Sequence, residues 1–287
     1  MNILITGANG YLAKNLVKEL ASKTKHKLTL LVRKDSDIDE LLIHVNIENI
    51  IFYDGSIDSL NNLQNYKIDL VFHLANYYPD AIKPAIPEEI ISSNLTLISN
   101  VITSLGDNID KVQKELGYRI INVSSYVIHH NDTDSLYKHT KDCAFNYLRN
   151  RNCQNYLLFD TYGGNDPRPK LINYLINYSK NGRKLEMKCS KDSHINLVYV
   201  KDVISAFVTA IEKKGKEDIY EIRCDTLTLE EVVNTFNEVS EKKVKVIWPE
   251  SVHGPINYIS ETGIIKTPDD WKPRYNLIMG LIEMLKL

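Results

Sequence analysis

The sequence lacks a long hydrophobic run, a strong excess of one charge and an obvious leader segment. No apolar stretch is long enough to cross a bilayer, so we expect no membrane partner. The formal net charge is -2, from 35 basic and 37 acidic residues, which gives no reason to expect a nucleic-acid partner. The chain opens directly on an apolar run with no basic leader, and we therefore predict a cytoplasmic protein.

Cysteine is also scarce, and its positions form no disulfide framework. The four are Cys143, Cys153, Cys189 and Cys224. None belongs to a Cys-x-x-Cys pair, and such scattered thiols are typical of a reducing compartment. The adjacent His129 and His130 cannot share one helix face, and no other cluster has metal-ligand spacing, so we expect no metal.

Short apolar runs alternate with amphipathic segments through the first half of the chain. The predicted strands are Asn2–Thr6, Leu28–Val32, Ile50–Tyr53, Leu70–Leu74, Arg119–Ser124 and Tyr156–Asp160. The predicted helices between them include Leu12–Ser22, Glu88–Leu105 and Tyr137–Arg149. Strands separated by helices indicate an α/β protein with a doubly wound parallel sheet, the Rossmann architecture. We predict a nucleotide-binding domain over 1–160 and a smaller α/β substrate lobe over 161–287, with some segments of the lobe returning to the main sheet.

The segment "NILITGANGYLAKNLVKEL" is typical of a strand, a glycine turn and an amphipathic helix. Gly7 permits the tight turn, and Gly10 lets the backbone approach a pyrophosphate, whose charge a helix N-terminus stabilises. Ala13 stands at the third glycine position of the dinucleotide fingerprint, where a small residue suffices. Glycine turns also join ordinary strands and helices, but the location directly after the first strand favours a dinucleotide site.

Two basic residues end the second predicted strand in "LLVRKDS". Arg33 and Lys34 stand where the 2′-phosphate of NADPH would lie, and a guanidinium binds phosphate as a bidentate fork. A solvated basic pair is the alternative, and the nearby Asp35 and Asp37 keep NAD possible. We predict that the cofactor is NADP(H).

The segment "DSLYKHTKDCAFNYL" places Tyr137 four residues before Lys141. On a helix this spacing puts both side chains on one face, one turn apart. A nearby ammonium stabilises a phenolate, so the pair can act as an acid/base at neutral pH. Taken alone, the same spacing is more often an ordinary detail of a surface helix.

Upstream of this pair lies "RIINVSSYV", an apolar strand that ends in two serines. Ser125, Tyr137 and Lys141, after an N-terminal dinucleotide turn, resemble the short-chain dehydrogenase/reductase superfamily, in its extended branch that acts on nucleotide sugars. Asp54 after the third strand, "FHLAN" at the fourth, and "VYVKDV" followed by "DWKP" agree with this branch. The resemblance covers nearly the whole chain.

The resemblance implies roles for individual residues. Ser125 would hydrogen-bond the substrate oxygen, Tyr137 would be the acid/base, and Lys141 would bind the nicotinamide ribose and tune the tyrosine. The implied cofactor contacts are Gly7, Asn9, Gly10, Tyr11, Leu12, Arg33, Lys34, Asp54, Gly55, Leu74, Ala75, Asn76, Val123, Tyr137 and Lys141. Tyr126 and Val127 stand where dehydratases of this branch carry an Asp-Glu pair, which counts against dehydration.

Within the branch, "LLFDTYGGNDPRPKLINYL" followed by "INLVYVKDV" is similar to the bacterial CDP-abequose and CDP-paratose synthases. This similarity implies NADPH-dependent reduction of the C4 ketone of a nucleotide-linked, CDP-type deoxyhexose in surface-glycan synthesis. The candidate substrate contacts, expected where two lobes meet at the strand ends, are Tyr78, Ser125, His129, Asp160, Arg168 and Lys170. Arg168 and Lys170 can equally be solvated loop charges, and a lone histidine such as His129 is more often structural.

Two other functions stay open: a nucleotide-sugar epimerase that holds NAD tightly, and a non-catalytic dinucleotide sensor. In both, the glycine turn would serve the same purpose. The complete set of serine, tyrosine and lysine disfavours the sensor.

A homodimer is predicted from the helix over Glu88–Leu105. One apolar stripe, which covers the sheet, consists of Ile91, Leu95, Ile98, Ile102 and Leu105. A second stripe, expected to need a partner, consists of Ile90, Leu97 and Val101, to which the Tyr137 helix adds Phe145 and Leu148. In the resembling family these two helices pair with their symmetry mates, and each protomer keeps its own active site. The alternative is that the second stripe packs within the same chain.

Overall fold

The computed structural model describes residues 1–44, 46–79, 86–106, 119–129, 134–249 and 266–286. The strands are β1 Asn2–Thr6, β2 Lys27–Arg33, β3 Ile47–Tyr53, β4 Leu70–His73, β5 Arg119–Ser125, β6 Cys153–Leu158, β7 Asp160–Tyr162, β8 Lys184–Glu186, β9 His194–Tyr199, β10 Ile219–Ile222, β11 Thr226–Thr228 and β12 Lys245–Ile247. The helices are α1 Tyr11–Lys23, α2 Asp39–Leu42, α3 Pro87–Ile91, α4 Leu97–Ser104, α5 Leu136–Leu148, α6 Leu171–Asn181, α7 Val200–Glu212, α8 Leu229–Val239 and α9 Leu277–Leu285. Among the described helices, none is long and apolar enough to cross a membrane.

The chain forms two compact units. The first comprises Met1–Leu157 and Phe207–Tyr220, and the second comprises Leu158–Ala206 and Glu221–Leu287. The main sheet has seven strands in the order β10-β6-β5-β4-β1-β2-β3, and the smaller sheets have the orders β11-β9-β7 and β12-β8. In the main sheet β1 pairs in parallel with β2 and β4, β2 with β3, and β4 with β5. This order reverses direction between β1 and β4, where doubly wound sheets bind ligands, and the predicted Rossmann class is confirmed.

The central strands form because their residues are apolar on both faces, as parallel strands covered by helices must be. Every residue of β4 is buried, as are the last four residues of β1. The apolar cluster of the first unit joins this sheet to α4, with Ile98, Val101 and Ile102 fully buried. The sheet that carries the predicted site residues at its edge is therefore packed directly against α4.

The strand predicted over Tyr156–Asp160 is wrong in its bounds. The structure divides the segment at Phe159 between β6, in the seven-stranded sheet, and β7, in the three-stranded sheet. The start of β6 is not visible in the apolar pattern of the sequence, because two polar residues, Gln154 and Asn155, lie in it. Gln154 donates from Nε2 to the carbonyls of Gly215 and Glu217, and Asn155 accepts from Asn122, so both are buried with partners.

The assignment of an unpartnered apolar stripe was also wrong. Ile90, Leu97 and Val101 are buried inside the first unit, at exposed fractions of 1%, 5% and 0%. Phe145 and Leu148 of α5 are buried as well. A π-helical segment, Ser92–Thr96, joins α3 to α4. It changes the phase of the residues on either side, so a regular helical period misassigned the stripes.

The late motifs "VYVKDV" and "DWKP" meet within the second unit. The carboxylate of Asp202, at the start of α7, accepts hydrogen bonds of 2.9 Å from the backbone N–H groups of Arg274 and Tyr275. The indole N–H of Trp271 donates to Ser205 Oγ at 2.8 Å. Both motifs therefore fix the segment before α9 onto α7, and their contribution is to the fold of this unit.

Candidate functional site

The predicted cofactor residues follow the carboxyl ends of five adjacent strands. Thr6, the last residue of β1, is paired with Leu31 in β2 and with His73 in β4. Arg33 at the end of β2 is paired with Tyr53 at the end of β3. Gly7, Lys34, Asp54, Leu74 and the end of β5 consequently share one edge of the parallel sheet, where such sheets bind ligands.

The tight turn at position 7 has space only for glycine. The φ of Gly7 is 66°, and a Cβ atom there would lie 2.6 Å from Cα and 2.8 Å from the backbone nitrogen of Ala75. The turn after β1 is thus packed directly on the segment after β4. Gly10 closes the turn by donating its N–H to Gly7 O at 2.8 Å.

The start of α1 has the chemistry of an anion site. Its N-cap is Gly10, no side chain caps it in the described part of the chain, and its first turn holds no acidic residue. The amide oxygen Oδ1 of Asn9 is buried without a hydrogen-bond partner among the described residues. Tyr11 and Leu12, which open the helix, are half-buried. A tight glycine cradle and a positive helix end fit the pyrophosphate of a dinucleotide.

The far side of this edge carries the predicted adenosine contacts. Arg33 and Lys34 are exposed, and the backbone N–H of Lys34 donates to Tyr53 O at 2.9 Å. Asp54 Oδ1 accepts from both the N–H and the hydroxyl of Ser56, and these bonds lower the pKa of Asp54. Gly55, with φ 102°, completes the turn. This end of the sheet edge therefore carries an exposed basic pair and a carboxylate that Ser56 holds in place.

Tyr137 lies at the start of α5, which begins there because the Ser135 side chain accepts a hydrogen bond from Lys138 N. Its hydroxyl accepts from Nδ2 of Asn76 at 3.3 Å. The Tyr78 ring meets the Tyr137 ring edge to face, with centroids 5.0 Å apart. The structure therefore brings together three predicted site residues, two of them from the segment after β4.

Lys141 is buried one turn further along α5. Its Nζ donates to the carbonyl of Val123 in β5 at 3.0 Å, and only 4% of the residue is exposed. Burial lowers the pKa of Lys141 from 10.5 to about 8. An ammonium held in a poorly solvated place acts strongly on any charge that forms nearby.

Of the two serines that end β5, Ser125 is half-buried and Ser124 is buried. Ser125 Oγ accepts from the backbone N–H of Val127 at 3.4 Å. The His129 ring is exposed and faces Phe145 edge to face, with centroids 6.2 Å apart. Ser125 is thus the more accessible hydroxyl at this strand end, while the contact of His129 is a packing contact.

The predicted contacts in the second unit are engaged in ion pairs. Arg168 donates to both carboxylate oxygens of Asp166, at 2.7 and 2.6 Å, and to Thr161 Oγ1 at 3.0 Å. Lys170 Nζ lies 3.5 Å from Asp160 Oδ1, and burial lowers the pKa of Lys170. Arg168 and Lys170 are therefore bonded to Asp166 of the same loop and to Thr161 and Asp160 of β7, and they are not the fully solvated loop charges of the alternative interpretation.

Comparison with known proteins identifies the family to which the chain belongs. The model of the NAD dependent epimerase/dehydratase family matches residues 3–222. The chain belongs to this family. Its members are enzymes with a nicotinamide dinucleotide cofactor, which agrees with the glycine cradle and the anion site described above.

The chain has curated relatives that it matches over most of their length. It is 26% identical over 263 residues to CDP-abequose synthase of Yersinia pseudotuberculosis, covering 86% of this chain and 87% of that protein. It is 22% identical to dTDP-4-dehydro-6-deoxyglucose reductase of Escherichia coli, covering 99% and 96%. UDP-glucuronic acid 4-epimerase from Bacillus cereus, solved with UDP-glucuronic acid and NAD, has a TM-score of 0.79 at 17% identity, covering 100% and 98%. The last likeness concerns the fold.

Two residues of this epimerase/dehydratase site were missed in the sequence. Thr6 Oγ1 accepts from the N–H groups of Leu74 and Ala75, both at 3.2 Å, so its proton points to His73 Nδ1 at 2.7 Å. His73 is 1% exposed, and burial, with the nearby Lys141 charge, lowers its pKa to about 3. A neutral His73 and Thr6 therefore join β4 to the glycine turn. The sequence feature that could have indicated this contact is the histidine inside the apolar segment "VFHLA".

Proposed function

We propose that the protein is an NADPH-dependent ketoreductase that reduces the C4 ketone of a nucleotide-linked deoxyhexose, with a CDP-linked sugar as the first candidate. The observation that carries the proposal is the pair on α5, where the Tyr137 hydroxyl is held by Asn76 and Lys141 is buried against Val123. Similarity to CDP-abequose synthase and to a dTDP-sugar reductase supports the substrate class. The turn at Gly7 and the first turn of α1 would hold the dinucleotide.

The residues of the chain have separate tasks in this chemistry. Bound NADPH supplies the hydride. Tyr137 gives its hydroxyl proton to the carbonyl oxygen, and Ser125 donates a hydrogen bond to that oxygen as negative charge develops. The ammonium of Lys141 stabilises the phenolate that Tyr137 becomes. Arg168, whose guanidinium donates to Asp166 and Thr161, stays a proposed contact to the substrate.

A direct assay tests this function. The purified protein is mixed with NADPH and CDP-4-keto-3,6-dideoxyhexose, or the dTDP-linked 4-keto-6-deoxyhexose, and loss of NADPH absorbance is followed. With NADPH deuterated at the transferred position, we expect deuterium at C4 of the sugar, measured by NMR. Interconversion of two nucleotide sugars without net consumption of NADPH would instead identify an epimerase.

Cofactor choice is predicted to depend on Arg33. Because only NADPH carries the 2′-phosphate, Arg33→Ala should weaken NADPH about 10- to 100-fold and leave NADH within about threefold. Fluorescence titration of each dinucleotide measures this, with Arg183→Ala, an exposed arginine of the second unit, as the control. Equal losses for both dinucleotides would show that Arg33 supports the fold only.

A two-fold homodimer is part of the same proposal. Since Leu97 and Val101 are buried within the protomer, its support now rests on Ile91 of α3, which is 42% exposed beside the half-buried Leu95. We expect light scattering at micromolar concentration to give twice the protomer mass, and Ile91→Asp to give the protomer mass. A monomeric wild-type protein would exclude the dimer.

A further inference from the structure

The segment that follows β4, which contains Asn76, Tyr77 and Tyr78, is held by a buried side chain from another element. Asn94, at the centre of the π-helical segment, is 1% exposed. Its Oδ1 accepts from the backbone N–H of Tyr77 at 2.7 Å, and its Nδ2 donates to the Tyr77 carbonyl at 3.3 Å. One buried amide therefore satisfies both backbone groups of the residue between Asn76 and Tyr78. A π-helical segment is an uncommon way to present such a side chain and is frequent at functional sites.

The same amide reaches the helix that carries the tyrosine. Asn94 Nδ2 lies 3.1 Å from Thr140 Oγ1, and that hydroxyl donates to the Tyr137 carbonyl at 2.9 Å. The side chain of Asn94 thus forms hydrogen bonds with both the segment after β4 and the start of α5. The Tyr137 hydroxyl is bonded by Asn76, the residue directly before the clamped Tyr77.

We propose that Asn76 is a catalytic residue whose amide donates to the Tyr137 hydroxyl and stabilises its ionised form, and that Asn94 and Thr140 are the positioning residues that hold it there. This assignment rests on the proposed acid/base role of Tyr137. It differs from the cofactor contact that the sequence implied for Asn76. A hydrogen bond to the charged form of a group favours that form, so the Asn76 N–H makes Tyr137 a better proton donor to a ketone.

The distance of 3.3 Å is long for a hydrogen bond between nitrogen and oxygen, and bonds at catalytic groups shorten as charge develops. An amide has the advantage over a second ammonium that it adds no charge to the site. Together with the ammonium of Lys141, it gives the phenolate two stabilising groups of different kinds.

Ionisation of Tyr137 tests the assignment without any sugar. The chain has 17 tyrosines, so the ultraviolet phenolate signal of Tyr137 is isolated by subtracting the titration of Tyr137→Phe, and the subtraction is repeated in the Asn76→Ala background. We expect the midpoint in Asn76→Ala to rise by about one pH unit, which corresponds to about tenfold in the ionisation constant. Asn76→Asp, of the same shape but negative, should raise it further.

Two measurements separate this role from cofactor lining and from loss of structure. Affinity for NADPH, by fluorescence titration, should change less than about threefold in Asn76→Ala. Thr140→Val should move the Tyr137 midpoint in the same direction, whereas Thr140→Ser, which keeps the hydroxyl, should restore it. An unchanged midpoint in Asn76→Ala, with or without a loss of NADPH affinity, would overturn the assignment, and it would do so whether or not the protein reduces the proposed sugar.

Discussion

Tyr137→Phe is expected to lower kcat for the ketone by about a thousandfold while NADPH still binds. General acid catalysis by a positioned side chain contributes roughly 10²- to 10⁴-fold, and the substitution removes only the hydroxyl that gives the proton. The phenyl ring keeps its volume and its edge-to-face contact with Tyr78. Single-turnover measurement with bound NADPH therefore reports the chemical step, and fluorescence titration reports cofactor binding.

Tyr147→Phe is the matched control on the same helix. Its hydroxyl is buried without a hydrogen-bond partner among the described residues, and Arg151 lies over its ring at 4.1 Å from the centroid. Removing such a hydroxyl leaves no other group unpaired, so activity and stability should stay near those of the wild type. If Tyr137→Phe keeps more than about a tenth of the wild-type kcat, Tyr137 is not the proton donor.

The fold was predictable because its strands are buried on both faces and its helices are amphipathic. The predicted strand Asn2–Thr6 is β1 itself, and the Tyr137 helix differs from α5 by one residue at each end. The failures lie where local pattern and tertiary structure disagree. The run "YLLF" before Asp160 is uniformly apolar, so nothing in it marks the division at Phe159 between two sheets.

The site was predictable at the level of motifs but not of contacts. Gly7 and Lys141 are visible in the sequence because backbone geometry and one-turn spacing restrict the residue types that fit. The contact of Asn94 with Tyr77 and Thr140 is not, because it depends on a π-helical segment that no periodicity reveals. Similarly, the pairing of Arg168 with Asp166 depends on the path of a loop.

Lys141→Met is expected to abolish most turnover and yet to stabilise the protein at neutral pH. Lowering of the Lys141 pKa from 10.5 to about 8, at roughly 1.4 kcal/mol per pH unit, means that the buried ammonium destabilises the fold by about 3 kcal/mol below pH 8. Methionine fills the space without charge but leaves the Val123 carbonyl unpaired, which costs about 1 kcal/mol. The net gain in the free energy of unfolding at pH 7 is therefore about 2 kcal/mol.

The sign of the pH dependence makes this prediction specific. Between pH 8 and 10.5 the unfolded chain still binds the proton that the folded chain has released from Lys141. Wild-type stability consequently gains from this group as pH rises through that window, whereas the variant does not. Urea unfolding should show Lys141→Met more stable than the wild type at pH 7 and slightly less stable at pH 10.5, by less than about 1 kcal/mol, because the Val123 carbonyl is still unpaired when the charge penalty is gone.

The catalytic rate should also depend on the ionisation of Lys141, but it should fall as pH rises while the stability of the wild type increases. Above about pH 8 the wild type loses the ammonium that stabilises the Tyr137 phenolate, so kcat should fall there. Lys141→Met should show at least a hundredfold lower kcat at pH 7, and this difference should narrow as the pH rises above 8. Lys18→Met, at an exposed position of α1, is the control and should change stability by less than about 0.5 kcal/mol at either pH. A Lys141→Met protein that is less stable than the wild type at pH 7 would mean that the Nζ–Val123 bond outweighs the desolvation of the charge, and that the lysine is retained for the fold as well as for catalysis.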